Sequence, residues 1–312
     1  MRSFNRHGSD LILPSSPDAD PCMGDPVAEA LWQAMRRHDW TRIRELFDPV
    51  ADPDDRSFYL GVCAAAPGVG DWIAEWCRAE PGAPLPLVIR AAHLLLPERV
   101  PAEGLPPENV GLAEECLTDV LSRDPDNADA WALLVTAARA GRVDRKEALW
   151  RFERVVDLHP THLDAHTEML AWLGLHDGPD EAYGFARDVV TKAPAGSPLG
   201  KLIPLAHIDR WRSLPHAERG PFMAQDWVRG GLRAAADHSI RHPSYRPRPG
   251  WPATHNAFAF ALVMAGEVAA AAEQFRFIGD QVTRRPWDAY HADPVRAFTE
   301  LRGWAREWAD FR

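Results

Sequence analysis

Four residues in one short run, His159, His162, Asp164 and His166, are of types that ligate zinc. A histidine pair four residues apart puts two imidazoles on one helix face, as in zinc enzymes. The surrounding residues favour another role. Thr161, three positions before Asp164, reads as an acidic variant of the capping box that opens a helix. His166 then falls on the apolar stripe of that helix and His162 on its surface, so the two rings do not share an ion. Packing and capping are the expected roles, and no metal is expected. His176 with Asp177, and His207 with Asp209, are two more pairs of acid–base types close in sequence. General acid–base catalysis needs such groups to converge on a cleft, which closeness in sequence does not supply. The chain has no G-x-S-x-G elbow, phosphate-binding loop or dinucleotide glycine pattern. Cys22, Cys63, Cys77 and Cys116 form no C-x-x-C pair. They read as reduced, mostly buried thiols of a cytoplasmic protein, and no cofactor is expected.

The most distinctive candidate is the run from His242 to Trp251, where Pro243, Pro247, Pro249 and the following Pro252 surround Arg246, Arg248, Tyr245 and Trp251. Prolines fix the backbone in advance, so such a loop can hold two guanidinium groups ready for a carboxylate or phosphate. His255 and Asn256 begin the next helix and would extend the site. The competing reading is a stiff connector anchored in the core by Trp251.

The elements that must position these residues are helical almost throughout from Asp25 onward. There are no alternating β-branched runs and no Asn-Gly or Asp-Gly hairpin turns. Three segments repeat one apolar template. They are Ala113, Leu117, Val120 and Pro125; Ala148, Phe152, Val155 and Pro160; and Ala182, Ala186, Val189 and Pro194. The first three positions share a helical face, and the proline, whose ring cannot continue a helix, ends it. The prolines recur after 35 and 34 residues. Between these helices lies a second one per unit: Trp131, Leu134, Val135 and Ala138, closed by Gly141, then His166, Met169, Leu170 and Leu173. Phe258, Ala259, Leu262, Gly266, Ala271, Phe275 and Ile278 give a later unit at the same offsets. There Thr283 stands in the place of the proline and Pro286 follows.

Paired helices with a period of about 34 residues and a terminal proline resemble the tetratricopeptide (TPR) repeat. Val135 and Leu170 stand where that repeat usually carries glycine, and Ala138 and Leu173 where it carries an aromatic. The layout from Val27 to Phe311 is also similar to a group of uncharacterised actinobacterial proteins that share a domain of unknown function. The resemblance implies an all-α, TPR-like superhelix of antiparallel helix pairs, right-handed, with 26–312 as a single repeat domain; residues 1–25, rich in Ser, Asp, Pro and Gly with little periodicity, read as a disordered tail. Within that domain the helices of 26–110 are divergent, and residues 97–110 are a Pro-rich connection. The clearest repeats are 111–195, residues 196–250 hold irregular helices and the Pro/Arg loop, and 251–312 hold the last repeat and a capping helix. Asp293 followed by Pro294 opens that helix, and Val295, Phe298, Leu301, Ala305 and Trp308 give it one apolar face.

In such a superhelix the first helix of each pair lines a concave face. Asp129, Thr136, Arg139, Asp164, Thr167, Asn256 and Phe260 would stand there, a polar set of both signs. The leading expectation is a non-enzymatic adaptor or scaffold that holds a protein or peptide in this groove, as a monomer or weak homo-oligomer. The alternative is an enzyme or a small-molecule or anion-binding protein with a pocket near the Arg246–Asn256 loop and His207. A third option is self-association through exposed tryptophans such as Trp304.

Composition narrows the field. The formal charge of −10 argues against general nucleic-acid binding and against adsorption to anionic lipid. No apolar run approaches the ~18–20 residues that span a bilayer. Only Lys146, Lys192 and Lys201 among 35 cationic residues are lysines, and the thirteen tryptophans are expected mainly in packing.

Overall fold

The computed structural model describes residues 20–96 and 105–310. They form α1 (Pro26–Arg36), α2 (Trp40–Phe47), α3 (Pro53–Ala65), α4 (Val69–Ala79) and α5 (Pro84–Leu94), then α6 (Pro107–Arg123), α7 (Ala128–Gly141), α8 (Arg145–Leu158), α9 (Leu163–His176) and α10 (Pro179–Lys192). A 3-10 turn at Pro198–Lys201 leads into α11 (Leu202–Ser213), α12 (His216–Met223) and α13 (Asp226–His238), followed by α14 (Trp251–Met264), α15 (Val268–Ile278) and α16 (Pro294–Asp310). There is no β-strand among the described residues, and none of their helices is long and apolar enough to cross a membrane. Most of the tail expected at 1–25, and residues 97–104 of the Pro-rich connection, lie outside the described residues. Residues 107–110 of that connection already belong to α6.

The boundaries follow local chemistry. Asp25, Asp52, Asn127 and Asp144 accept hydrogen bonds from the exposed amides at the starts of α1, α3, α7 and α8. Pro125, Pro160 and Pro194 each fall two residues beyond the ends of α6, α8 and α10. The start of α9 departs from expectation. His162, not Thr161, is the cap, its Nδ1 accepting the Ala165 amide at 3.3 Å. That ring is buried rather than on the surface, because α3 lies over it. His166 does pack inward, edge-on to Phe152 at 5.0 Å.

From α5 to α11 most helices pack against the next and often the next but one: α7 against α6, α8 and α9, and α9 against α10 and α11. The repeat stripes face inward, with Val135, Ala138, Met169 and Ala186 fully enclosed. Each large side chain removed from water contributes about 1.5–3 kcal/mol. Trp76, Trp172 and Trp287 are almost completely buried, whereas Trp150, Trp227 and Trp304 remain exposed. At the C-terminal end, Asp293 Oδ1 accepts the Val295 and Arg296 amides, and Phe298 and Ala305 of α16 seal α15.

Two contacts cross the array. Helix α3 packs against α7 and α9, more than sixty residues away in sequence. Residues 20–25, expected in the tail, form a turn with Cys22 buried, and a Cβ on Gly24 would stand 2.6 Å from Gln281 Nε2, beyond the end of α15.

Candidate functional site

Helix α3 presents two faces. Tyr59, Leu60, Val62 and Cys63 enter the core. Asp54, Phe58, Gly61 and Ala65, at steps of four, three and four, form a stripe on one wall of a cleft of about 760 Å³. The facing walls come from Leu163 and Asp164 at the start of α9, Lys201 of the 3-10 turn, the loop Tyr245–Trp251, and Arg284 and Arg285 after α15. Trp32 of α1 adds an apolar flank.

Polar contacts hold α3 in place. Arg248 pairs with Asp52 at 2.6 Å and with Asp55 at 3.0 Å. Asp54 accepts the Leu163 amide at 2.7 Å. Arg56 Nη2 lies 2.6 Å from Asp129, whose side chain is only 5% exposed. Asp129, expected to face an open groove, is therefore covered by α3.

Of the residues anticipated for binding, Asp164, Tyr245, Arg246, Arg248 and Trp251 line this cleft together. The others do not. His255, Asn256 and Phe260 are buried. α14 enters the centre of the fold, where Asn256 donates to the Pro252 and Gln281 carbonyls and accepts from Trp287 Nε1 at 2.6 Å. Phe260 packs edge-on to Trp211 and Trp287. Arg139 is bound to Glu168 at 2.5 Å, and the Thr167 hydroxyl donates to the Leu163 carbonyl. His207 sits apart from the cleft among Tyr183, Phe222 and Trp227. Burial, with Arg210 nearby, pushes it down to about 4. His176 stacks on Trp172 at 4.4 Å, while Asp177 pairs with Arg145, so neither pair close in sequence forms a dyad.

Lys201, Asp54, Phe58, Gly61, Arg284 and Arg285 were not anticipated. Gly61 carried the one readable signal, a glycine in the middle of a helical segment. Lys201 stood out only as one of three lysines.

Two rows of polar side chains border the cleft, and the hydrogen bonds within each have a definite polarity. In the first, Ser57 Oγ lies 3.4 Å from His162 Nε2, and His162 Nδ1 lies 3.9 Å from Asp54 Oδ1. These are the residue types of a serine hydrolase triad. However, Nδ1 accepts the Ala165 amide, so the ring proton is on Nε2 and points at Ser57. A general base needs the opposite tautomer, with Nε2 free to take the serine proton. In the second, His255 Nδ1 donates to Gln274 Oε1 at 2.8 Å, which leaves Nε2 to accept from the Tyr245 hydroxyl at 3.1 Å. Burial pushes His255 down to about 4 and Tyr245 up to about 12. His255 thus orients the Tyr245 ring.

Lys201 keeps some contact with solvent but makes no salt bridge or hydrogen bond among the described residues. Burial pulls its ammonium below the ordinary value, against the attraction of Asp164, Asp54 and Glu168. Burial pushes the Cys22 thiol up to about 12 and the Cys77 thiol up to about 11, which leaves both unreactive at neutral pH. No group of histidine, cysteine, aspartate or glutamate with the makings of a metal site occurs among the described residues. No protein-family model matches the chain, and a search of curated proteins returns no match.

Proposed function

We propose that this chain is a TPR-like helical superhelix acting as a non-catalytic binding module, and that its ligand is a small molecule held in the cleft between α3 and the Tyr245–Trp251 loop. The size and lining of the cleft carry the reading, and Gly61 on its wall is consistent with it. A glycine inside a helix costs about 1 kcal/mol relative to alanine. A Cβ at Gly61 would meet nothing within 4 Å, so neither packing nor backbone conformation requires glycine here. What its absent side chain leaves is room in the cleft. The volume of about 760 Å³ falls in the range that encloses small ligands, and aromatic walls with a few charged groups suit that use.

An adaptor holding a protein or peptide along the whole concave face is the broader reading. The contacts Arg56–Asp129 and Asp54–Leu163 favour the cleft over it, since a segment laid along α7 and α9 would have to displace α3. The non-catalytic part rests on the His162 tautomer and on His255, which at about 4 is a weak base at neutral pH.

The test is Gly61→Trp, which fills the cleft and removes the mid-helix glycine. Small molecules released by heat from purified wild-type and variant protein are compared by mass spectrometry. A compound carried by the wild type and missing from an equally stable variant is expected. Identical release profiles would refute the cleft as the binding site.

A further inference from the structure

The charges of the cleft run against those of the chain. The protein carries a formal −10, yet Lys201, Arg246, Arg248, Arg284 and Arg285 line the cleft against Asp20, Asp54 and Asp164. Hydrogen-bond use sharpens the contrast. Asp20 accepts the Cys22 and Gly24 amides of its own turn, and Asp54 accepts the Leu163 amide, so both carboxylates are engaged. Arg248 is likewise engaged by Asp52 and Asp55. Three cations keep donors to spare. The Arg246 Nη1 donates to the Pro243 and Tyr245 carbonyls at 2.7 Å each, which leaves its Nε and Nη2. The Arg285 and Lys201 side chains make no direct hydrogen bond or salt bridge among the described residues, although Asp209 attracts Arg285 and Asp164, Asp54 and Glu168 attract Lys201 from farther away; Asp164 is likewise without a direct partner. Alongside these stand apolar surfaces from Trp32, Phe58 and Trp251, with Trp251 braced edge-on against His255 and Phe277.

Resting on the cleft reading above, we infer that the ligand is an anion on an apolar body, a carboxylate or phosphate ester whose charged group takes the spare donors of Arg246, Arg285 and Lys201 while its hydrocarbon part lies along Phe58, Trp32 and Trp251. An acidic protein gains nothing in solubility from clustering cations in a partly enclosed cleft. Guanidinium and ammonium groups with donors not engaged in a direct hydrogen bond are stabilised when an anionic ligand takes those donors. Lys201, whose charge burial already disfavours, has the most to gain.

The experiment compares two fluorescent probes of nearly the same shape. One is 8-anilinonaphthalene-1-sulfonate, which is anionic, and the other is N-phenyl-1-naphthylamine, the same body without the sulfonate. Each is titrated into full-length wild type, Gly61→Trp, and Arg246→Ala/Arg285→Ala, whose two altered side chains are exposed, so that an unchanged thermal midpoint is expected and measured alongside. We expect saturable binding lost in Gly61→Trp, with the sulfonate probe preferred about tenfold or more, as for one charge-assisted contact. The arginine double variant should abolish that preference and leave the neutral probe unchanged. Displacement of bound sulfonate probe by decanoate or by decyl phosphate then separates the two anion classes.

Equal affinity for the two probes, with loss in Gly61→Trp, overturns the anion inference and leaves the cleft standing. Displacement by decanol as effective as by either anion does the same. Failure of both probes to bind, or binding untouched by Gly61→Trp, overturns the cleft and the inference together.

Discussion

The ring of Phe58 abuts the backbone of Gly250 so closely that a Cβ there would stand 2.9 Å from Phe58 Cδ2. Gly250 also has φ +77°, a conformation that side chains with L chirality adopt at a cost of about 1–2 kcal/mol. This contact joins α3 to the Pro/Arg loop along the lining of the cleft. Gly250→Ala should lower stability by about 2 kcal/mol or more in urea denaturation. Ligand binding should weaken with it, because the loop must withdraw from Phe58.

Two arginines tie α3 down, and they differ in what they leave behind. Removing Arg56 strands Asp129, whose side chain is 5% exposed, whereas removing Arg248 strands Asp52 and Asp55 near solvent. Arg56→Ala should cost roughly 2–4 kcal/mol, and Arg248→Ala about 1 kcal/mol or less. Equal losses in chemical denaturation would mean that Asp129 finds another partner.

The buried Asn256 side chain satisfies three groups at once, the Pro252 and Gln281 carbonyls and Trp287 Nε1. Asn256→Ala is therefore expected to destabilise by about 3 kcal/mol or more. That loss should appear in the thermal midpoint with ligand absent. It is the opposite of the near-neutral change expected for a residue on an open groove.

His207 and His255 link stability to pH. Burial depresses both from 6.5 to about 4. Between those values the unfolded chain binds protons that the folded chain does not, so stability rises with pH and is lost as pH falls from 6.5 toward 4. Each histidine should account for about 2 kcal/mol of the difference between pH 7.5 and pH 5. His207→Phe removes one of them together with a buried Nε2 that has no hydrogen-bond partner. The variant should be at least as stable at pH 7.5 and visibly flatter in urea midpoint against pH.

The polarity of Ser57–His162 yields a prediction about reactivity. With Nε2 protonated by virtue of the cap at Ala165, Ser57 should not react with a fluorophosphonate probe at neutral pH, as judged by intact mass. Stoichiometric phosphonylation of Ser57 would reverse the tautomer assignment and reopen the hydrolase reading.

The helical character was legible because apolar positions in α6 to α10 recur at helical spacing and prolines fall just past helix ends, signals local to each segment. The loop from Tyr245 to Trp251 was legible for the same reason, its prolines and arginines being neighbours in sequence. The other half of the cleft was not. Asp54, Phe58 and Gly61 acquire their meaning only because α3 crosses to α7 and α9, and no periodicity within 53–65 reports a partner more than sixty residues away. Asn256 and Phe260 were misplaced for a related reason, since Trp211 of α11 and the segment 281–287 after α15 cover them. Positions that would face solvent in an open array become interior once other helices cover them. The cap at His162 escaped notice because Thr161 is the commoner cap by type, while the burial that selects His162 comes from α3.

The near approach of Gly24 to Gln281 has a thermodynamic consequence of its own. Open repeat arrays fray from their ends, since each unit touches only its neighbours and unfolding propagates along one dimension. Here the segment preceding α1 lies against the segment following α15, which joins distant parts of the chain. Its melting should be cooperative, with the amides of α1 and α15 exchanging hydrogen at one common opening free energy.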